Sequence, residues 1–264
     1  MMALAVGASL RRRAAAAGWP LLAIALFLAA WEAVTRTGLF PPTILVPLEQ
    51  VWQAFLDLSA TGELQDNLWA SASRVMTGFV LGGSTGLVVG VALGLSPRLE
   101  RYIGLPLDIV RQVPFIAWGP MLILLLGIGE PFKIAIIANA AFFPVALNAC
   151  DGVRNVSGAY RDVAALYQFS TWRTLRRIVL PASMPAILTG LRLALSRSWM
   201  MVVAAELFGA DSGIGHMMNW AREMFQLDVV MVGIVLTGLI GFALDQVLRG
   251  IERRLSPWRQ PAGA

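Results

Sequence analysis

The chain has 264 residues, of which 57% are hydrophobic and only 14% charged, and its mean hydropathy is +0.68. A soluble domain of this length needs far more polar surface to cover one core, so a soluble helical bundle is excluded. The net charge of +5 is carried almost entirely by arginine lying in the gaps between hydrophobic runs. That pattern belongs to a chain crossing a membrane several times, not to a nucleic-acid binder.

In chain order, Arg11, Arg12 and Arg13 come first, followed by an apolar run too long for a cleaved leader. Trp31-Glu32 offers no small-residue cleavage site, so this run is read as an uncleaved first span. The predicted spans are Trp19–Thr35, Val75–Leu95, Ile109–Ile128, Phe132–Cys150, Pro185–Leu207 and Val229–Leu248. Each is near the roughly 20 residues a helix needs to cross hydrocarbon. Gly82, Gly86, Gly90 and Gly94 recur at four-residue spacing and predict a face for close helix packing.

Arginine orients these spans. Arg11–Arg13, Arg98 and Arg101, then Arg154, Arg161, Arg173, Arg176 and Arg177, and finally Arg249, Arg253, Arg254 and Arg259 all fall on one side. The opposite segment, 38–73, carries Glu49, Asp57, Glu63 and Asp66 and no base. The positive-inside rule places both termini and the 151–184 loop in the cytoplasm. The expected organisation is an N-terminal tail (1–18), a membrane domain (19–248) containing that loop, and a C-terminal tail (249–264).

Common catalytic chemistry is missing. The single lysine, Lys133, lies in no Gly-x4-Gly-Lys-Ser/Thr phosphate loop, and His216 has no His-Glu-x2-His partner. One cysteine, Cys150, excludes an intrachain disulfide and a Cys-based metal cluster. Gly213-Ile214-Gly215 follows no strand and is read as a turn. No cofactor or metal is expected on this chain.

The loop is the most specific segment. Asp162-Val163-Ala164-Ala165-Leu166-Tyr167-Gln168, followed by Ile178-Val179-Leu180-Pro181, resembles the Glu-Ala-Ala-x3-Gly-x9-Ile-x-Leu-Pro loop of bacterial ABC-importer permeases. Asp162 stands for the Glu, Val163 for the first Ala and Gln168 for the Gly. Gln168 suggests a turn built without a positive-φ residue. Residues 160–169 predict a short helix that Asp162 opens, with Val163, Leu166 and Tyr167 on one face. Arg173, Arg176 and Arg177 give a following helix a basic face, and Pro181 and Pro185 are expected to break it.

Further pieces look like the sulfonate, taurine and nitrate branch: Arg111-Gln112-Val113-Pro114, Phe142-Phe143-Pro144, Gly152-Val153-Arg154, Glu206-Leu207-Phe208, Ser212-Gly213-Ile214-Gly215 and Arg254-Leu255-Ser256-Pro257-Trp258. The resemblance implies an all-α, polytopic inner-membrane protein of about six spans with the type I ABC-importer permease fold. It also implies a permease homodimer, two copies of an ABC ATPase that bind ATP and Mg, and an extracytoplasmic substrate-binding protein. Its coupling loop would comprise Asp162, Val163, Ala164, Leu166, Gln168, Ile178, Leu180 and Pro181. The cargo would be a small anion such as an alkylsulfonate, taurine or nitrate, with pyrimidine vitamin precursors or aromatic acids as alternatives. A helix in that loop could instead lie on anionic lipid. An ion-coupled secondary transporter is the rival from another class, but no inverted repeat is visible.

Arg111 and Arg197 fall inside predicted spans, where an unpaired arginine costs about 2.5–3.5 kcal/mol. Two readings stay open. They line a translocation path with Glu206, or they are neutralised locally, Arg111 by Asp108 and Arg197 by Glu206. Arg192, near the cytoplasmic end, is given no role, and Asp245 and Arg249 are read as a helix-end pair.

Overall fold

The structure is a computed structural model, and it describes residues 19–20, 22–39, 41 and 44–255. The Arg11–Arg13 cluster, the tail 1–18, residues 256–264 of the expected tail 249–264, and the end of the Arg254–Trp258 motif lie outside them. Among the described residues every regular element is helical. The order is α1 (residues 22–36), α2 (Leu48–Thr61), α3 (Glu63–Leu95), α4 (Pro97–Gln112), α5 (Gly119–Leu126), α6 (Glu130–Arg154), α7 (Gly158–Leu166), α8 (Thr171–Thr174), α9 (Leu180–Glu206), α10 (Ile214–Glu223) and α11 (Leu227–Leu255).

Four helical stretches are long and apolar enough to cross a membrane: Glu63–Leu95, Glu130–Arg154, Thr171–Glu206 and Leu227–Leu255. They contain the second, fourth and sixth predicted spans and all but the last residue of the fifth. The second begins much earlier than Val75. At 33 residues α3 extends about 50 Å, well beyond a hydrocarbon core of about 30 Å, so its first turns carry polar side chains.

The predicted span Ile109–Ile128 is not one helix. Pro114 lacks an amide hydrogen and disfavours helical geometry at the residue before it, so Val113 is extended (φ −75°, ψ 119°). A 3-10 turn, Phe115–Trp118, follows, and α5 is only 8 residues long. Hydropathy cannot see this break because the apolar run continues through it.

The centre of the fold is α3 packed on α6. A Cβ at Gly82 or Gly90 would collide with the carbonyl oxygen of Ala138 or Ala146, and one at Gly86 would lie 2.5 Å from that of Phe142. One Gly-lined face of α3 therefore meets bare backbone at every fourth residue of α6. Helix α9 packs on the other side of α6, with Ala141, Val145 and Ala194 forming a buried cluster. Helix α11 is held to α9 by Trp199, whose Nε1 donates to the Thr237 carbonyl at 2.9 Å. Arg192 of α9, given no role from sequence, pairs with Asp245 (3.3 Å) and Glu252 (3.1 Å) of α11, and Asp245 also holds Arg249 (2.7 Å).

Pro181 and Pro185 do not break the chain's helical course, which runs unbroken from Thr171 to Glu206. A π-turn at Leu175–Val179, closed by the Leu180 amide donating to the Leu175 carbonyl, precedes them. A proline ring crowds the carbonyl four residues back, and a widened turn relieves that crowding without ending the helix.

Candidate functional site

Three places bring the sequence-singled residues together, and one of them was not foreseen. The first surrounds Arg111 and Arg197. Arg111 is the penultimate residue of α4, and Arg197 sits nine residues before the end of α9, about 14 Å along the helix. Both line a cavity of about 570 Å³ together with Val113, Pro114, Asn139 and Met201. The non-helical Val113-Pro114 break lines this cavity, and a cavity lining is where irregular backbone is tolerated in membrane proteins. Arg111 is paired with Asp108 at 3.1 Å, as the local-neutralisation reading expected. Arg197 is exposed and has no salt bridge among the described residues.

Glu206 is not part of that cavity, and it does not meet Arg197. Its partner is Arg74 of α3, 2.7 Å away, and both are buried (1% and 6% exposed). The Glu206 carboxylate also accepts from Ser71 Oγ (2.8 and 2.9 Å) and from the Gly215 amide (2.9 Å). Arg74 spends its remaining donors on Glu130 (2.7 and 2.9 Å), the Ser212 carbonyl (2.7 Å) and Ser212 Oγ (2.9 Å). Lys133 closes the group on Glu130 at 2.9 Å. Two cations thus face two carboxylates.

This cluster explains Ser212-Gly213-Ile214-Gly215, which is the start of α10 and not a free turn. The first amides of a helix have no partner within it. Here Gly213, Ile214 and Gly215 donate to Asn67 (2.7 Å), Ser71 (2.9 Å) and Glu206 (2.9 Å). Gly213 has φ +111°, and a Cβ there would run into the Glu206 carboxylate, so glycine is required twice over. Sequence reasoning missed Asn67, Ser71, Arg74 and Glu130. The signal was available: the glycine register continues back from Gly78 through Arg74 to Ser71 and Asn67, three to four residues at a step.

The third place is the loop. Asp162, Val163, Ala164 and Leu166 lie on α7, which starts at Gly158, so Asp162 sits in its second turn and does not open the helix. Ala164 is buried, whereas Val163, Leu166 and Tyr167 are 49%, 81% and 69% exposed and form an uncovered apolar face. Ile178 and Leu180 are half-buried and Pro181 is exposed where the π-turn joins α9. An apolar recess of about 620 Å³ between α7 and this junction is lined by Ala164, Phe169, Trp172, Leu175 and Val179.

Gln168 corrects a sequence expectation. It adopts φ +52°, the left-handed conformation that a glycine supplies more easily. Its amide donates to the Ala165 carbonyl and that of Phe169 to the Ala164 carbonyl, each at 2.9 Å, the paired bonds of a Schellman C-cap. The left-handed turn is kept at a cost of about 1 kcal/mol. Gln168→Gly is therefore expected to stabilise the end of α7 by about that amount, read as slower hydrogen exchange at the Gln168 position and Phe169. Faster exchange would show that the Gln side chain, not the backbone, secures the turn.

With that geometry in place, comparison with known proteins is decisive. Residues 82–257 match the family described as the binding-protein-dependent transport system inner membrane component. SsuC of Bacillus subtilis, whose name assigns it to aliphatic sulfonates transport, is 37% identical over 92% of this chain and 88% of its own. The taurine transport system permease protein TauC of Escherichia coli is 36% identical, over 89% and 87%. An inward-facing structure of the MetNI methionine ABC transporter shares the fold, with a TM-score of 0.58 and 19% identity over 71% of this chain and 95% of that one.

The chain belongs to the binding-protein-dependent transport system inner membrane component family. It is a multi-pass membrane protein and a permease subunit of an ABC importer, of the type that SsuC and TauC represent.

Proposed function

We propose that two copies of this chain form the translocation pathway for a small anion, an aliphatic sulfonate, taurine or nitrate. The observation carrying this is the cavity in which Arg111 and Arg197 converge, with Arg197 free of any salt bridge among the described residues. A guanidinium exposed to such a cavity is a fork for a sulfonate or nitrate oxygen pair. The relatives named for sulfonates and taurine support the same class. Arg197→Gln is expected to lower uptake of the sulfonate at least tenfold while the transporter still assembles. Undiminished uptake would remove Arg197 from the path.

In this reading the chain catalyses nothing itself. Two ATPase subunits bind ATP and Mg, an extracytoplasmic binding protein delivers the anion, and the arginine-rich segments and both termini face the cytoplasm. Helix α7 docks on the ATPase through Val163, Leu166 and Tyr167, with Asp162 available to a basic partner group. Ile178, Leu180 and Pro181 then carry its movement into α9 through the π-turn, and Gln168 fixes the angle at which α7 ends. Leu166→Asp would bury a charge against the partner. It is expected to detach the ATPase in a pull-down and abolish uptake at normal membrane levels, as is Asp162→Arg. Intact assembly and uptake in both would mean that α7 lies on lipid.

A further inference from the structure

Arg111 does not belong to the first cavity alone. A second cavity of about 290 Å³ lies towards the Arg154 end of α6 and shares Arg111, Phe143 and Leu147 with the first. The charge of the two differs. Arg111 and Arg197 line the first with no carboxylate, while Glu100, Asp108 and Asp151 outnumber Arg111 and Arg154 in the second. Glu100 is taken by Arg154. Asp108 is the carboxylate in contact with Arg111, 3.1 Å from Nη2, and both side chains are open to solvent at 55% and 38% exposure. Arg111 is thus the charged group facing both spaces.

We propose that Asp108 is a built-in competitor for the transported anion. Asp108 and the anion take the Arg111 guanidinium in turn: loading the first cavity displaces the carboxylate, and its return releases the anion from Arg111. This rests on the reading of the first cavity as an anion site. A pathway site must bind well enough to fill and weakly enough to empty. Two unopposed arginines lining one cavity would fill readily and empty slowly. A half-exposed carboxylate corrects that, because such a pair shifts an equilibrium by up to about fivefold and can be displaced. The negative second cavity then offers the departing anion no return site. Asp108 is in these terms a positioning residue, acting through Arg111.

The test measures binding of radiolabelled ethanesulfonate to the full-length chain in nanodiscs, and its uptake by the transporter assembled with ATPase and binding protein. Asp108→Asn is expected to bind about three- to fivefold tighter while maximal uptake falls by a similar factor. Asp108→Ser should show the same split, so the result does not hang on the folding of one variant, and Asp108→Glu should restore wild-type values. Glu49→Gln removes an exposed carboxylate of α2 that lines neither cavity and should leave affinity unchanged. A merely structural lesion weakens binding and uptake together. Unchanged or weaker binding in both uncharged variants, with binding still lost in Arg197→Gln, overturns the competitor and leaves the anion site standing. Absence of binding in the wild type, with normal uptake by Arg197→Gln, removes the anion site and the competitor with it.

Discussion

Arg74→Ala should cost the chain about 3–5 kcal/mol of stability, the largest loss expected from any single charged residue. The reason is what remains. Glu206 would stay buried with its carboxylate facing only Ser71 and the Gly215 amide, and Glu130 would keep Lys133 alone. The start of α10 would lose its tie to α3 through Ser212. Glu206→Ala leaves Arg74 buried against Glu130 and should be nearly as damaging. The double variant Arg74→Ala/Glu206→Ala should lose clearly less than the two single losses added, because neither charge is left alone. Unfolding of the purified variants in detergent, followed by tryptophan fluorescence, gives all three values. Strict additivity would show that the two residues do not act as a pair.

Gly86→Ala and Gly83→Ala make a matched pair with opposite expected outcomes. At Gly86 the new methyl would sit 2.5 Å from the Phe142 carbonyl oxygen, which is backbone and cannot rotate away. The helices must separate, and the gap propagates to Gly82 and Gly90 on the same face, at a cost of about 1–3 kcal/mol. At Gly83 the nearest atom is Leu191 Cδ2 at 3.9 Å, an ordinary contact. There alanine should be neutral or stabilising by up to about 1 kcal/mol, since glycine is the poorer helix former. Equal losses at both sites would mean that helix propensity and not close approach governs α3.

The glycine face was legible in the sequence because a four-residue spacing has one meaning on a helix, whatever packs against it. The loop was legible for a similar reason: Asp162 to Pro181 carries its own spacing. What escaped depended on the third dimension. Arg74 lay just before the predicted start of a span, because hydropathy stops where α3 becomes polar although the helix continues. One of the two open readings gives Glu206 to Arg197, whereas its partner is Arg74 of α3. The Val113-Pro114 break hid inside an unbroken apolar run. Pro181 and Pro185 misled in the other direction, because a π-turn absorbed what would otherwise have ended the helix. Gln168 shows the limit of residue rules: glycine is preferred at positive φ, but two backbone hydrogen bonds hold another residue there.

ATP dependence of import tests the proposed mechanism most directly. Proteoliposomes containing the purified chain alone should accumulate no ethanesulfonate under a proton or sodium gradient. Liposomes carrying the chain with its ATPase, supplied with binding protein outside and ATP and Mg inside, should accumulate it. Addition of Leu166→Asp to the same preparation in place of the wild-type chain should return uptake to background. Gradient-driven accumulation by the chain alone, or uptake by the full assembly that is indifferent to ATP, would contradict an ATP-driven permease and favour an ion-coupled transporter.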